Sequence, residues 1–431
     1  MKKQERHSYL FTNNKETCTG CRACESICKH NAISFYEDKE GFLYPKVSLQ
    51  DCIDCGLCDI KCPHVDNLIP QENDSVKYYA VWSKKENYQL TQDCATMGLS
   101  SIIANYVLRN DGVVYGVVLD TLTQSSKHVR ITSLAEQHQM RNSKYMQSDV
   151  NMTYREAKQD LESNKIVYYT GTPCQIAGLK SYLNKEYSNL YTTDLICHGV
   201  FSHKIFKAEL AYWKTKLKGD IRNFKFRGKG KFPYSIGGLV NFDLHKNGKV
   251  KHIDIPAKFS PMYYCYAYSN DGFNYVHRLS CYNCKYRTTQ RVGDISIGDF
   301  HGRGKYHSND LTLEMEKYGM AVVFINTPNG EDIFERIKDE ICFFQTTEKA
   351  IAVQPALLGL QREIPIKRHI IYDNLDKLPI DELVRQYIFS DEYANRRKMY
   401  TSKYLQKMKI VHFLWRHPKL KQILQNIKKR I

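Results

Sequence analysis

The stretch "CTGCRACESICKH" at residues 18–30 returns in altered form as "CIDCGLCDIKCPH" at residues 52–64. Each block has the spacing C-x2-C-x2-C-x3-C, and the two blocks hold eight of the fifteen cysteines of the chain. Three cysteines at this spacing bind one 4Fe–4S cluster, while the fourth cysteine reaches the neighbouring cluster. The blocks therefore predict two 4Fe–4S clusters with crossed ligand sets, which are Cys18, Cys21, Cys24 and Cys62 for the first cluster and Cys52, Cys55, Cys58 and Cys28 for the second.

Zinc is the alternative, because paired C-x2-C units also bind this metal. Zinc sites usually separate two such pairs by a longer loop, whereas here four cysteines lie within eleven residues, and do so twice. Pro63 follows the second block as in bacterial two-cluster ferredoxins, although Lys29 takes the corresponding position after the first block. The pattern favours two adjacent clusters, and adjacent clusters indicate electron transfer.

The totals are those of a soluble protein. The 431 residues suffice for two or three domains, and 42% of them are hydrophobic and 25% charged. The chain has no run of eighteen apolar residues and no apolar segment after its charged start, so we expect neither a spanning helix nor a secretory signal. We therefore expect a cytoplasmic protein whose clustered cysteines bind metal rather than form disulfides.

The chain divides into three predicted parts. Residues 1–75 are predicted to form an α+β ferredoxin-like domain, residues 76–390 a larger α/β domain, and residues 391–431 a basic amphipathic tail. In the body, apolar runs alternate with helical patterns, which favours an α/β core. The predicted strands are 78–82, 112–120, 127–133, 165–171 and 319–327, with a hairpin over 239–255 turning at Asn247 and Gly248, and the predicted helices are 94–109, 154–163 and 330–338.

The tail carries most of the net charge. Residues 396–431 hold twelve Lys or Arg and no Asp or Glu, which accounts for twelve of the net +17. Apolar side chains alternate with these cations, so we predict an interfacial helix on an anionic membrane surface, at the inner face of the membrane. A solvated tail is the alternative, and no nucleic acid is expected because no recognition module accompanies the charge.

Four short stretches of the body carry residues suited to chemistry. The first ends a strand and opens a helix at Pro173, where exposed N–H groups can hold an anion such as a pyrophosphate. Another places Asp294 and Asp299 beside a strand, where both could simply cap the strand ends. The stretches are "TGTPCQIAGLK" (170–180), "DLICHGV" (194–200), "SCYNC" (280–284) and "RVGDISIGDFHG" (291–302).

These stretches supply four thiols, which are those of Cys174, Cys197, Cys281 and Cys284. Four thiolates are the number that a third 4Fe–4S cluster requires. A structural zinc ion would use the same ligands, and unrelated free thiols are a further alternative.

Taken together, the motifs resemble a known family. "EGFLYPKV", "CIDCGLCDIKCP", "NSKYMQSDV" (142–150), "YTGTPCQIAGLKSYL", "DLICHGV" and "SCYNCKYR…DISIGDFHG" occur in the order found in the coenzyme F420 hydrogenase/dehydrogenase beta-subunit family, over about residues 15–302. That family joins an iron–sulfur cluster to a bound FAD in an α/β domain. Its members oxidise or reduce the deazaflavin coenzyme F420, relatives use other substrates, and bacterial members are often found among polysaccharide-biosynthesis functions.

The resemblance implies ligands for this chain. The four body cysteines would bind a third 4Fe–4S cluster beside the flavin, and coenzyme F420 is an implied substrate. Lys144 would offer a cation to phosphate or to reduced flavin, and Tyr145 a ring for stacking. The implied flavin contacts are Gly98, Ser143, Lys144, Tyr145, Thr170, Gly171, Thr172 and Pro173.

Three departures from the family pattern affect the same site. "CATMG" at residues 94–98 replaces a turn of the Ser-Ser-Gly-Gly type, so Cys94 is either a pocket thiol or a small buried residue. Asn142 stands where the family usually has a glycine, a change that is tolerated if the residue has a positive φ, because asparagine adopts that conformation more readily than most residues. His301 stands where an aromatic residue is usual, and together with Cys94 and His198 it is a candidate catalytic residue, with a surface histidine as the alternative.

The sequence thus predicts an iron–sulfur flavoprotein oxidoreductase. Electrons would pass between a redox partner protein or small redox substrate, the clusters and FAD. One alternative is a non-catalytic electron-delivery subunit without flavin. Another is a degenerate peripheral protein of a glycan-synthesis system, suggested by the altered turn at residues 94–98.

Overall fold

The structure, a computed structural model, describes residues 6–66, 75–229, 238–267, 274–307, 311–312, 315, 319–359, 362–388 and 420. The predicted membrane-binding tail falls outside the described residues except for Leu420, and the boundary predicted near residue 75 borders the undescribed residues 67–74. Nowhere in the described part is a helix both long and apolar enough to cross a bilayer.

The N-terminal cysteine blocks flank an antiparallel hairpin. Each block turns into a short helix directly after a residue with positive φ, which is Arg22 (61°) in the first block and Gly56 (74°) in the second. The elements are α1 (Tyr9–Thr12), α2 (Ala23–Ile27), β1 (Ile33–Glu37), β2 (Leu43–Val47) and α3 (Leu57–Ile60).

The body is built on an eight-stranded mixed sheet and a separate three-stranded antiparallel sheet. The large sheet has the order β13-β3-β12-β11-β7-β6-β4-β5, and the small one the order β10-β9-β8. The strands are β3 (Lys77–Ser83), β4 (Val113–Asp120), β5 (Ser125–Ile131), β6 (Val167–Gly171), β7 (Leu190–Leu195), β8 (Asp220–Gly228), β9 (Leu239–Lys246), β10 (Lys249–Pro256), β11 (Ile295–Asp299), β12 (Ala321–Ile325) and β13 (Ile341–Gln345).

Parallel pairing is confined to the centre of the large sheet. Strands β4, β6, β7 and β11 pair in parallel, whereas β5, β12, β3 and β13 join antiparallel at the two sides. All five residues of β6 are buried, as expected for a strand covered on both faces. Because β6, β7 and β11 run the same way, the loops after them open at one edge of the sheet, where α/β proteins bind ligands.

The helices of the body follow most strands of the large sheet, and some of them pack beside the small sheet. They are α4 (Tyr88–Gln92), α5 (Leu99–Arg109), α6 (Thr153–Glu162), α7 (Pro173–Leu183), α8 (His203–Leu217), α9 (Pro261–Tyr266), α10 (Leu279–Tyr282), α11 (Arg303–Tyr306), α12 (Pro328–Ile337), α13 (Glu348–Ile351), α14 (Arg368–Asn374) and α15 (Ile380–Leu383). Short 3-10 turns lie at Lys85–Asn87, Gln137–Met140, Ala257–Phe259, Lys338–Glu340 and Pro355–Leu357, and a π turn at Val384–Ile388.

One predicted helix begins later than expected. The helix predicted over 94–109 starts at Leu99, because Gly98 has a φ of 82° and cannot be part of an α-helix in that conformation. Residues 94–98 instead form a turn, and this turn faces the cavity described below.

The N-terminal hairpin shares a hydrophobic core with the body. Phe42 and Tyr44 are buried in the same cluster as Phe201 and Phe206, which belong to the segment after β7 and to α8. The two parts therefore pack against each other through apolar surface as well as through polar contacts.

A buried ion pair fixes the loop edge of the sheet. The Arg291 Nη2 atom lies 2.7 Å from Asp194 Oδ1, and the two side chains are 1% and 0% exposed. The other carboxylate oxygen of Asp194 accepts from the backbone N–H groups of Val292 and Gly293. Asp194 thus ties the end of β7 to the start of β11.

Replacing Asp194→Asn is expected to lower the free energy of unfolding by about 3–5 kcal/mol, because it leaves a buried guanidinium uncompensated. The control is Glu335→Gln, which breaks the ion pair of Glu335 (64% exposed) with Lys338 (46% exposed). This change is expected to lower the free energy of unfolding by less than about 1 kcal/mol. Urea unfolding of both variants, prepared without oxygen, measures the difference. If both variants shifted the urea midpoint equally, the stabilising role of the buried pair of Asp194 and Arg291 would be contradicted.

Candidate redox site

The first predicted ligand set lies together in the structure. Burial raises the pKa of the Cys24 thiol well above its usual range, and the neighbouring thiolates of Cys21, Cys18 and Cys62 raise it further, with a smaller contribution from Cys58. Cys18, Cys21, Cys24 and Cys62 also line a common cavity of about 60 Å³. Cys62 comes from the second block, so the grouping is that of the crossed arrangement.

The second set gathers around Cys58. Burial raises the pKa of Cys58 to about 11, and the thiolates of Cys55, Cys28 and Cys52 contribute to the rise. Here Cys28 comes from the first block and the other three cysteines from the second. Cys52 and Cys55 are exposed, so this second site lies nearer to the solvent than the first.

The body cysteines converge from three segments on the loop edge of the large sheet. Cys174 lies in the first turn of α7 after β6, Cys197 follows β7, and Cys281 and Cys284 lie in and just after α10. Burial raises the pKa of Cys197 to about 12, and Cys174 and Cys284 add to this effect. The pKa of Cys281 is raised well above its usual range by burial and then by the other three cysteines of the set, Cys284, Cys197 and Cys174.

Each of the three donor sets consists of four thiols, the number that a 4Fe–4S cluster requires. Within the described residues, no three His, Cys, Asp or Glu side chains gather around a point that could hold a single metal ion. A zinc site would place four sulfurs about 2.3 Å from one ion. In a 4Fe–4S cluster each thiolate binds a different iron, so the four sulfurs stand farther apart.

The first N-terminal set and the body set are adjacent. A Cβ atom added to Gly178 of α7 would lie 3.0 Å from Cys21 Cβ and 3.1 Å from Cys21 Sγ, so helix α7 touches the first set directly. Cys284 lines the same 60 Å³ cavity as Cys18 and Cys21. The two sets are thus in direct contact through their surroundings, and no further layer of the described residues lies between them.

A second cavity, of about 280 Å³, joins the body thiols to the residues implied as flavin contacts. It lies at the loop edge of the large sheet and is lined by Cys174, Cys197, Cys281 and Cys284. The same cavity is lined by Gly98, Ser143, Lys144, Tyr145, Thr170, Gly171, Thr172 and Pro173. Residues from segments more than 180 positions apart therefore meet around one space.

The lining of this cavity is cationic. Asp299 is the one carboxylate among its described lining residues, and its Oδ2 atom accepts from Arg227 Nη1 at 2.8 Å. The cationic lining residues are Arg141, Lys144, Arg227, Arg278 and Arg287. Such a lining favours an anionic ligand.

Lys144 and Tyr145 are held in place by their own contacts. Lys144 Nζ donates to the carbonyl oxygens of Met140 at 2.8 Å and Arg141 at 2.6 Å, and burial lowers the pKa of Lys144 to about 7. The Tyr145 ring packs against Tyr266 with the ring centroids 5.0 Å apart. The preceding Asn142 has a φ of 70°, so the positive φ expected at this replaced glycine is present.

The N-terminus of α7 has fewer free backbone N–H groups than its sequence predicts. A capping box engages Thr172 and Gln175, and Thr172 N donates to Gln175 Oε1 at 3.0 Å. Pro173 has no N–H group. Side-chain cations are consequently better placed than this helix end to hold a pyrophosphate. The Thr172 hydroxyl instead lies beside a thiol of the body set, with its Oγ1 atom 3.1 Å from Cys174 Sγ.

The three candidate catalytic residues are placed differently. Cys94 is buried at the cavity edge, with its Sγ atom 3.6 Å from Ser101 Oγ, and burial raises its pKa. His198 lines the cavity, and burial followed by His301 lowers its pKa to about 4, which leaves it uncharged at neutral pH. His301 is exposed and its ring centroid lies 6.2 Å from that of His198, outside the cavity lining.

Sequence reasoning missed several lining residues, above all Arg227 and Arg278. Arg278 contacts Cys18, Leu43 and Gln147, which lie 131 to 260 positions away in the sequence. A local pattern cannot reveal such contacts. The nearest signal is the position of Arg278 three residues before Cys281.

Two parts of the chain match known families. Residues 17–65 match the 4Fe-4S dicluster domain, and residues 164–349 match the C-terminal region of the beta subunit of coenzyme F420 hydrogenase/dehydrogenase. These matches confirm the family resemblance. The protein therefore carries iron–sulfur clusters and a domain of hydrogenase/dehydrogenase beta-subunit type, and its role is of the electron-transfer, oxidoreductase kind.

Comparison with solved structures gives an alignment over most of the chain. A protein of the F420-reducing NiFe hydrogenase complex from Methanosarcina barkeri aligns with 72% of this chain and 91% of its own length, at 15% identity and a TM-score of 0.40. Comparison with curated proteins gives no match.

Paired cysteine variants test the crossed ligand sets. Replacing Cys28→Ala together with Cys55→Ala should remove one cluster, or about four irons per chain, because both thiolates would serve the same cluster. Replacing Cys28→Ala together with Cys21→Ala should remove two clusters, or about eight irons. Iron analysis and electron paramagnetic resonance after anaerobic purification measure the losses, and the reverse result would indicate uncrossed sets.

Proposed function

We propose that this protein is an iron–sulfur flavoprotein oxidoreductase in which a third 4Fe–4S cluster links the two N-terminal clusters to FAD. The observation that carries the proposal is the single cavity of about 280 Å³ that the four body thiols share with all eight implied flavin contacts. The contact of Gly178 with Cys21 supports a continuous electron path into this cavity.

The donor groups fit the proposed cofactors. The thiols of Cys174, Cys197, Cys281 and Cys284 would hold the third cluster, and the cationic lining would hold the phosphates of FAD. When bound, FAD exchanges single electrons with clusters and an electron pair with a substrate. This conversion gives a reason for clusters and flavin to share one chain.

The residues around the cavity have separate tasks in this proposal. Lys144, fixed by two carbonyl groups, offers its remaining N–H group to an anion in the cavity. The Tyr145 ring, backed by Tyr266, offers a flat surface to an isoalloxazine ring. The uncharged His198 can exchange a hydrogen bond with substrate without adding charge.

We propose that a redox partner protein meets the chain at the second N-terminal site. Cys52 and Cys55 are exposed there, and so are the apolar side chains of Leu49 (88%), Ile53 (63%) and Ile60 (45%). Apolar side chains around a solvent-near cofactor suit a weak and transient protein contact. The substrate at the flavin end is, in this proposal, a small two-electron carrier of the deazaflavin type, the class that the matched family's description names.

Cofactor analysis tests the proposal directly. Anaerobically purified protein is expected to hold about twelve irons, or three 4Fe–4S clusters, and one FAD per chain. Cys281→Ser should lower the iron content by about four, whereas Cys342→Ser, a cysteine of β13 outside the cavity lining, should leave it unchanged.

Other iron, flavin or zinc contents would support a different function. About eight irons without flavin would support the electron-delivery subunit instead. Zinc at the body thiols would contradict the redox function of the cavity.

The pH dependence of flavin binding should report on Lys144. With a pKa of about 7, its amine is mostly uncharged above neutral pH in the empty cavity, and an anion bound beside it would raise that pKa. Flavin binding should then take up a proton, so the dissociation constant should rise up to about tenfold between pH 7.5 and 8.5.

Lys144→Met should bind flavin more weakly at pH 6.5 and show no such dependence, while Lys127→Met, an exposed lysine of β5, should behave as the wild type. Flavin fluorescence titration of flavin-depleted protein measures both effects. A pH dependence that persists in Lys144→Met would contradict this role.

A further inference from the structure

Arg278 is a fully buried cation between the N-terminal cysteine blocks and the body, with an exposed fraction of 0%. Its Nε atom donates to the Cys18 carbonyl oxygen at 2.8 Å, and its Nη1 atom to Gln147 Oε1 at 2.8 Å. Its Nη2 atom donates to the Leu43 carbonyl oxygen at 2.9 Å and lies 3.5 Å from Cys18 Sγ. The guanidinium also stacks 4.1 Å above the Tyr44 ring centroid.

The charge of Arg278 has no carboxylate partner in the described part of the chain. Two other buried arginines are paired, since Arg291 binds Asp194 and Arg368 binds Glu40. Removing a guanidinium from water costs several kcal/mol unless an anion compensates. The Cys18 sulfur lies 3.5 Å from Arg278 Nη2, and it becomes part of a negatively charged cluster when iron is bound.

The loop between Cys18 and Cys21 is shaped around this guanidinium. Gly20 has a φ of 71°, and a Cβ atom at this position would lie 3.1 Å from Arg278 Cζ and 2.6 Å from Gln147 Nε2. Only glycine allows both this backbone conformation and this close approach. Gln147 Nε2 in turn donates to the Thr19 carbonyl oxygen at 2.9 Å, so the loop is held from both sides.

We infer that Arg278 raises the reduction potential of the cluster that Cys18 helps to bind. Reduction adds one electron, and so one negative charge, to that cluster. A fixed cation beside a ligand sulfur stabilises the reduced form more than the oxidised form, and hydrogen bonds to cluster sulfurs act in the same direction. Arg278 acts through Cys18 and takes no electron or proton itself.

The higher potential would favour one of the two N-terminal clusters along the proposed electron path. The Cys18 cluster is the N-terminal cluster adjacent to helix α7 and the body thiols, through the contact of Gly178 with Cys21. Stabilising its reduced form favours the presence of an electron on the inner rather than the solvent-near N-terminal cluster. This inference rests on the N-terminal clusters of the proposed function but not on the third cluster or the flavin.

Potentiometric titration of the full-length protein, followed by electron paramagnetic resonance, tests the inference. In Arg278→Gln, one of the two N-terminal cluster signals should move to lower potential, with at least a tenfold fall in its reduced-to-oxidised ratio at a given potential, or about 59 mV for one electron. Arg278→Lys, which keeps the charge, should lie between Arg278→Gln and the wild type. The control is Arg155→Gln, which removes contacts to the backbone of Glu25, Ser26 and Cys28 at the same boundary but no contact to sulfur, and should leave that signal unchanged.

A second variant keeps Arg278 in place, although it loses the bond from Gln147 Nε2 to the Thr19 carbonyl oxygen. Gln147→Glu would place a carboxylate where Oε1 now accepts from Arg278, neutralising the cation, and should shift the same signal in the same direction as Arg278→Gln. This variant decides the question alone if Arg278→Gln does not retain its clusters. Unchanged potentials in Gln147→Glu, or in Arg278→Gln with full iron content, would overturn the inference, whereas wild-type protein without N-terminal clusters would contradict the proposed function instead.

Discussion

The rest of the site depends on the close packing of helix α7 against the first cysteine block. The helix begins at Pro173, so that Cys174 lies in its first turn at the cavity, and Gly178 lies about one turn later, roughly 6 Å along the axis. At that point Cys21 leaves no room for a side chain, and a Cβ atom would also lie 2.8 Å from Tyr154 Oη. One rigid element therefore sets the separation between a thiol of the N-terminal region and a thiol of the body.

Charge compensation explains much of what surrounds the thiols. In the proposed function, the third cluster and the flavin phosphates are both anionic, and they would be buried together at the loop edge of the sheet, where water screens their repulsion poorly. The chain answers with cations whose positions are fixed by uncharged groups, such as Lys144 on two carbonyl oxygens and Arg278 on the Cys18 carbonyl oxygen and Gln147. The fully neutralised pair of Asp194 and Arg291 has a different task, since it supports the loops without adding net charge beside the thiols.

Features of short sequence range could be predicted, and contacts of long range could not. The turn from strand to helix at Pro173 and the positive φ of Asn142 follow from local backbone chemistry, and the structure contains both as expected. The predicted start of α5 lies five residues too early, because the apolar pattern continues through the segment that Gly98 ends. The antiparallel addition of β12, β3 and β13 to a parallel centre depends on pairing between distant apolar runs that look alike in sequence. The contacts of Arg278 could not be predicted for the same reason, since its partners lie 131 to 260 positions away in the sequence.

The N-terminal region is attached to the body as a fixed part rather than as a tethered carrier. Arg368 and Glu40 form a bidentate buried pair across the boundary, with both distances at 2.6 Å, and Arg155 donates to three carbonyl groups of the first cysteine block. Phe42 and Tyr44 add apolar burial to these contacts. A tethered carrier would need to release such contacts at every turnover, including a charge pair whose separation in a buried site costs several kcal/mol. A fixed geometry avoids that cost, so electron transfer within the chain requires no domain movement, and the solvent-near second site remains free for the exchange with another molecule.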